Sequence, residues 1–125
     1  MQSGRTCRRV LVVDDESIIA DSLVMILQRS GMEAAAAYSG EAAVEMVMGF
    51  APDAVICDVI LRGMTGIETA IEIGRMLPAC RVILFSGQAA TADLVRTSHA
   101  AGHDFEILAK PVHPKKLLDL LAKAS

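Results

Sequence analysis

The chain of 125 residues has few aromatic side chains, 3% of the total and no tryptophan, so any core it builds is mostly aliphatic. It also has no surplus of basic charge. A net charge of −3 and a pI near 5.5 leave no electrostatic footprint for gripping a phosphate backbone, and direct nucleic-acid binding is not expected. Long apolar runs are missing too. Arg5, Arg8 and Arg9 precede only the four apolar residues Val10 to Val13 before Asp14 and Asp15 intervene, too few for a signal-peptide core or a membrane span. Cysteines are scarce and odd in number. Cys7, Cys57 and Cys80 match no zinc spacing, and two of them sit among apolar neighbours, so reduced thiols in a cytoplasmic protein are the economical reading. No internal repeat, low-complexity tract or linker interrupts the chain.

What is present is a compact pattern, 53% hydrophobic against 22% charged, with one domain over residues 9–125 after a tail of residues 1–8. Short apolar runs alternate with longer segments of helical period. Strand-like runs are Val10 to Val13, Glu33 to Ala37, Ala54 to Cys57, Val82 to Phe85 and Phe105 to Ala109, apolar on both faces as strands covered on both sides must be. Between them, Ile18, Ile19, Leu23, Ile26 and Leu27 form an apolar stripe that stops near Gly31. Ser39 is placed to cap a second helix running towards Gly49. Thr65 and Glu68 have capping-box spacing at the head of a third, which ends before Pro78. A fourth helix is expected over about Thr91 to Ala101, and a last one follows Pro114. Five strands alternating with five helices predict a doubly wound α/β fold with a parallel sheet and right-handed crossovers.

In such sheets the site lies at the carboxyl ends of the strands. Just beyond those ends stand Asp14 and Asp15, Asp58, Ser86, and Lys110 before Pro111. Brought together, three carboxylates repel and need either a cation or a proton. A hard dication such as Mg²⁺, which takes oxygen ligands, would answer this, with the Lys110 ammonium completing neutrality. A carboxylate so placed can attack phosphorus, because phosphoryl transfer is mostly positioning and neutralisation of the equatorial oxygens. Asp58 is therefore assigned as nucleophile and phosphoacceptor. Asp15 is a direct metal ligand, Asp14 a ligand or a partner orienting metal-bound water, and the Ile60 carbonyl a further ligand. Ser86 would hydrogen-bond the acquired phosphoryl group and Lys110 would pair with it.

Val10 to Glu16, Pro52 to Asp58, Ser86-Gly87 and Lys110-Pro111, in that order over almost the whole chain, resemble response-regulator receiver domains. The resemblance implies a flavodoxin-like fold with five helices and strand order 2-1-3-4-5, of which the family's chemotaxis member is a standing example. It also implies magnesium dependence, a phosphodonor that is a sensor histidine kinase or histidine phosphotransfer protein, a cis peptide before Pro111, and an unknown effector partner. A homodimer through the fourth helix, last strand and last helix is an expectation of the same kind. No effector segment follows Ser125, so a stand-alone receiver or a piece of a larger regulator is expected. Two departures stand out. Leu61-Arg62 replaces a common Met-Pro pair, with Gly63 and Gly66 still permitting a tight loop. Gly102 to Lys110 is one residue longer than usual, so either Phe105 or Ile107 occupies the switch-aromatic position and a bulge is conceivable.

Taken singly, each motif has an ordinary reading. Asp14, Asp15 and Glu16 complement a helix dipole, Asp58 is a turn residue, and Lys110-Pro111 ends a strand. Their joint placement favours the site. Two other functions compete with the switch. A scaffold of receiver shape would bind partners without phosphorylation. A hydrolase of the haloacid dehalogenase type would carry a second Asp two residues after the nucleophile, where this chain has Ile60.

Overall fold

The computed structural model describes residues 8–87, 96 and 105–122. The apolar runs form β1 (Arg9–Val13), β2 (Glu33–Ala37), β3 (Ala54–Asp58), β4 (Arg81–Ser86) and β5 (Glu106–Ala109). All pair in parallel in one sheet ordered β2-β1-β3-β4-β5, the order that the resemblance implied. Val13, Cys57, Leu84 and Ile107 lie in one row across four neighbouring strands. That register sets Asp14 and Asp58 side by side at the carboxyl edge, one step beyond the row.

Alternation along each strand sends successive side chains to opposite faces, and each face has its own core. Leu11, Val13, Val55, Cys57 and Leu84 pack on one side with Ala43, Val47, Ala70 and Ile73. On the other, Val10, Val12, Ile56, Ile83 and Phe85 pack with Ala20, Leu23, Leu27, Leu117 and Leu121. Each fully buried Val, Leu or Ile contributes about 1.5–3 kcal/mol of transfer free energy, so the central strands anchor the edge on which the acids stand.

Among the described residues there are four helices, α1 (Ser17–Arg29), α2 (Gly40–Phe50), α3 (Gly66–Met76) and α4 (Pro114–Ala122), where five were expected. The expected fourth, about Thr91 to Ala101, falls outside the described residues except for Arg96, and with it part of the expected dimer face. No helix among the described residues is long and apolar enough to cross a membrane.

The caps read from the sequence are present. Ser39 accepts from Ala42 N, and Thr65 and Glu68 form the reciprocal box. Gly31, at φ +91°, follows α1 in the left-handed conformation that glycine adopts without strain. The second helix differs from expectation. It runs through Gly49 to Phe50, and Ala51 takes the left-handed cap at φ 52°. The stripe on α1 is also shifted. Ala20, Leu23 and Leu27 are its buried residues, while Ile18 is 81% exposed.

The extra residue before Lys110 produces no bulge within β5, whose pairing with β4 runs unbroken from Ile83↔Glu106 to Ser86↔Ala109. Phe105 and Ile107 are both half-buried against the same core cluster. The fold thus keeps both residues named for the switch position on one side of the sheet.

Candidate functional site

Asp14 is the first residue beyond β1, and its N–H still donates to Ala37 O at 3.1 Å. Its side chain is fully buried. Oδ1 accepts from Glu16 N at 2.9 Å, whereas the buried Oδ2 has no hydrogen-bond partner among the described residues. Burial raises the pKa of this carboxyl; the Glu16 N–H opposes the rise, the charge of Asp58 adds to it, and Lys110 opposes it.

Asp58 ends β3 with 5% of its surface exposed. Oδ1 accepts from Ile60 N at 3.1 Å and Oδ2 from Lys110 Nζ at 3.0 Å. Lys110 follows β5 directly. Its N–H donates to Ser86 O at 2.8 Å, its peptide bond to Pro111 is cis as the resemblance implied, and its ammonium lies 5.2 Å from the Phe85 ring centroid. Ser86, buried at the end of β4, donates from Oγ to Gly87 O at 3.0 Å.

The loop between β3 and α3 is built around close backbone approach. Gly66 N donates to Val59 O at 3.0 Å, and a Cβ on Gly66 would collide with Asp58 O and lie 2.6 Å from Val59 Cα. Gly63 is left-handed at φ +77°. Ile60 sits in this loop, 71% exposed. The same loop brings Arg62 to Asp15, whose Oδ2 accepts from Arg62 N at 3.2 Å and from Arg62 Nε at 3.3 Å.

The structure therefore brings together Asp14, Asp58 and Lys110, places Ser86 one residue beyond the strand partner of Asp58, and holds Asp15 to the loop. The Arg62 contact was not read from the sequence. The available signal was Arg62 standing where many receivers have proline, a departure that the sequence ties only to the tightness of the loop. The Phe85 ring beneath Lys110 was missed too, since nothing local links the two.

Among the described residues no three acidic, histidine or cysteine side chains stand as a finished metal cage. Lys110 holds Asp58, and Arg62 holds Asp15. The donor set nevertheless fits a hard dication, for it is made of carboxylate oxygens, and Asp14 Oδ2 is a buried oxygen without a donor among the described residues. Cys57, by contrast, is packed into the opposite core face, where burial first and then Asp58 and Asp14 raise its thiol pKa, so it stays a thiol.

A family model described as the response regulator receiver domain matches residues 10–122. The chain is 32% identical over 119 residues to the chemotaxis protein CheY of Thermotoga maritima, covering 94% of this chain and 98% of that protein. It is 30% identical over 111 residues to the DNA-binding response regulator MtrA of Mycolicibacterium paratuberculosis, covering 89% of this chain but only 48% of MtrA. Among solved structures, a CheY-like receiver domain protein from Methanospirillum hungatei superposes with a TM-score of 0.81 at 28% identity, covering 93% of this chain and 91% of that one.

Proposed function

Because the chain belongs to the response regulator receiver domain family, and so to two-component signalling, we propose that Asp58 is its phosphoacceptor, in a Mg²⁺-dependent transfer from a sensor histidine kinase or histidine phosphotransfer protein in the cytoplasm. The observation that carries the reading is the 3.0 Å contact of Lys110 Nζ with Asp58 Oδ2, together with the buried Asp14 Oδ2 that has no partner among the described residues.

In the transfer an Asp58 carboxylate oxygen attacks phosphorus, the new P–O bond forms, and the P–N bond of the phosphohistidine breaks. The imidazole leaves as the neutral base, keeping the proton that its other ring nitrogen took up from water before the P–N bond broke. Asp14, Asp15, Asp58 and the Ile60 carbonyl would hold the dication, which when bound supplies positive charge to the phosphoryl oxygens. Lys110 stabilises the charge that develops on those oxygens, and the Ile60 N–H orients Asp58. Ser86 turns from the Gly87 carbonyl to donate to the acquired group.

The acyl phosphate carries about two negative charges, one more than the carboxylate it replaces, and this biases partner binding by an effector on the face of β5 and α4. The output is a change of partner affinity, and turnover is slow because Ile60 stands where a haloacid dehalogenase would place its acid.

Acetyl phosphate with Mg²⁺ is expected to add one phosphoryl group to the intact chain, and Asp58→Asn to block it. A wild type that stays unmodified with acetyl phosphate and with cognate kinases would favour the scaffold reading instead. Steady phosphate release from small phosphoesters would establish the hydrolase.

A further inference from the structure

The loop that carries Ile60 ends in a contact that the receiver pattern does not require. Two donors of residue 62, its backbone N–H at 3.2 Å and its Nε–H at 3.3 Å, fall on the same oxygen, Asp15 Oδ2. A proline at 62, common in the family that this chain resembles, has neither an N–H nor a guanidinium and would provide neither bond. We propose that Arg62 is a latch on Asp15, holding that carboxylate in the metal-free chain and giving it up when a divalent cation binds, so that Arg62 sets the metal affinity of the site. The inference rests on the metal reading above.

Burial decides which cation yields. Lys110 is only 33% exposed and is held on Asp58, whereas the Arg62 side chain is 87% exposed and reaches Asp15 from the solvent side. Release of Arg62 into water therefore costs little, in keeping with the weakness of exposed ion pairs. Charge points the same way. With Asp14, Asp15 and Asp58 ionised, Lys110 and a dication already balance the three carboxylates, and a guanidinium kept on Asp15 would leave one positive charge in excess. Asp14, the chain neighbour of Asp15, has its buried Oδ2 without a donor among the described residues, so that oxygen has a lone pair open to a cation.

The test titrates Mg²⁺ into the full chain and into Arg62→Met, which keeps the backbone donor and the side-chain length. Calorimetry is expected to show Arg62→Met binding Mg²⁺ about two- to fivefold more tightly, the range that an exposed ion pair supports. The NMR signal of Arg62 Nε–Hε is expected to move to the position of a solvent-exposed arginine with the same midpoint as the heat. Arg29→Met, in the last turn of α1 and away from the site, controls for lost positive charge. Equal affinities of wild type and Arg62→Met, an equal gain in Arg29→Met, or an Nε–Hε signal unmoved at saturation would overturn the latch and leave the metal reading standing. Absence of Mg²⁺ binding in every chain would overturn both.

Discussion

Lys110 Nζ lies 3.0 Å from Asp58 Oδ2 although the two residues are 52 positions apart in the chain. The contact joins the end of β5 to the end of β3 across the intervening β4, and the ammonium reaches the carboxylate over the Phe85 ring. A nearly buried carboxylate thus obtains a countercharge from the far side of the sheet.

Lys110→Met removes that countercharge and leaves Asp58 with the Ile60 N–H as the remaining donor in its hydrogen-bond set. The loss of a partner for a nearly buried charge is expected to cost about 1–3 kcal/mol, towards the lower end because Lys110 is one-third exposed. Urea unfolding reads this as a lower midpoint at unchanged slope. Phosphoryl uptake from acetyl phosphate is expected to slow by about a hundredfold, the usual effect of deleting one donor to a developing oxyanion. An unchanged rate would remove Lys110 from the site.

Asp14 gives a pH dependence whose sign follows from its raised pKa. The folded chain holds the Asp14 proton more tightly than the unfolded chain, so stability is lost as pH rises from the ordinary value of 3.8 through the folded-state value. Without metal at neutral pH, Asp14→Asn is expected to be more stable than wild type by about 1–3 kcal/mol, because it removes a buried charge with an unpaired oxygen. Denaturation in EDTA over a pH series should show this gap narrowing as pH falls through the raised value. Mg²⁺ at neutral pH should narrow it as well, and a gap indifferent to both would contradict the account of Asp14 Oδ2.

Gly66 is a position where size matters more than conformational freedom. A methyl group there meets the carbonyl of Asp58 and the Cα of Val59, both backbone atoms at the end of β3. Gly66→Ala is therefore expected to destabilise by about 1–3 kcal/mol, as overpacking does, and to displace Asp58 from Lys110. Chemical denaturation gives the first effect. Slower phosphoryl uptake in the folded fraction gives the second, and Gly74→Ala, at a helical glycine with open space around it, should show neither.

Arg81 ties the far end of the sheet together. Its guanidinium donates twice to Glu106 at 2.7 Å and once to the Leu120 carbonyl at 2.9 Å, joining β4, β5 and α4. Arg81→Met keeps the aliphatic stem and loses those bonds, at an expected cost of about 1–3 kcal/mol. Amide exchange should quicken in β5 and α4 and stay unchanged in β1 and β3. Uniform quickening would mean that the clamp serves the whole fold and has no special hold on that face.

Much of this architecture was legible in the sequence because it is written in local periods. Four-residue runs such as Val10 to Val13 and Ala54 to Cys57 state their burial on both faces, and Thr65 with Glu68 states the start of α3. Asp14, Asp58, Ser86 and Lys110 could be named because parallel strands place their last residues on one edge. Ile18 misled for the opposite reason, since a stripe of apolar residues does not say how far the sheet reaches beneath a helix. Its position in the first turn of α1 leaves it out in solvent.

Short runs apolar on both faces and strand-end position, properties of neighbouring residues, were thus enough to give the strands, their two covered faces and the acids, hydroxyl and ammonium at the edge, while the strand order came with the family resemblance. Only the tertiary structure decided which donor each carboxylate meets: Lys110 for Asp58, Arg62 for Asp15, and for Asp14 Oδ2 no partner among the described residues. Those pairings depend on the path of the loop after β3 as it turns against Gly66, and on a lysine brought in from a strand two places away. Hydrogen bonds are set by differences of a few tenths of an ångström between chain segments distant in sequence, and no period in the sequence records such distances.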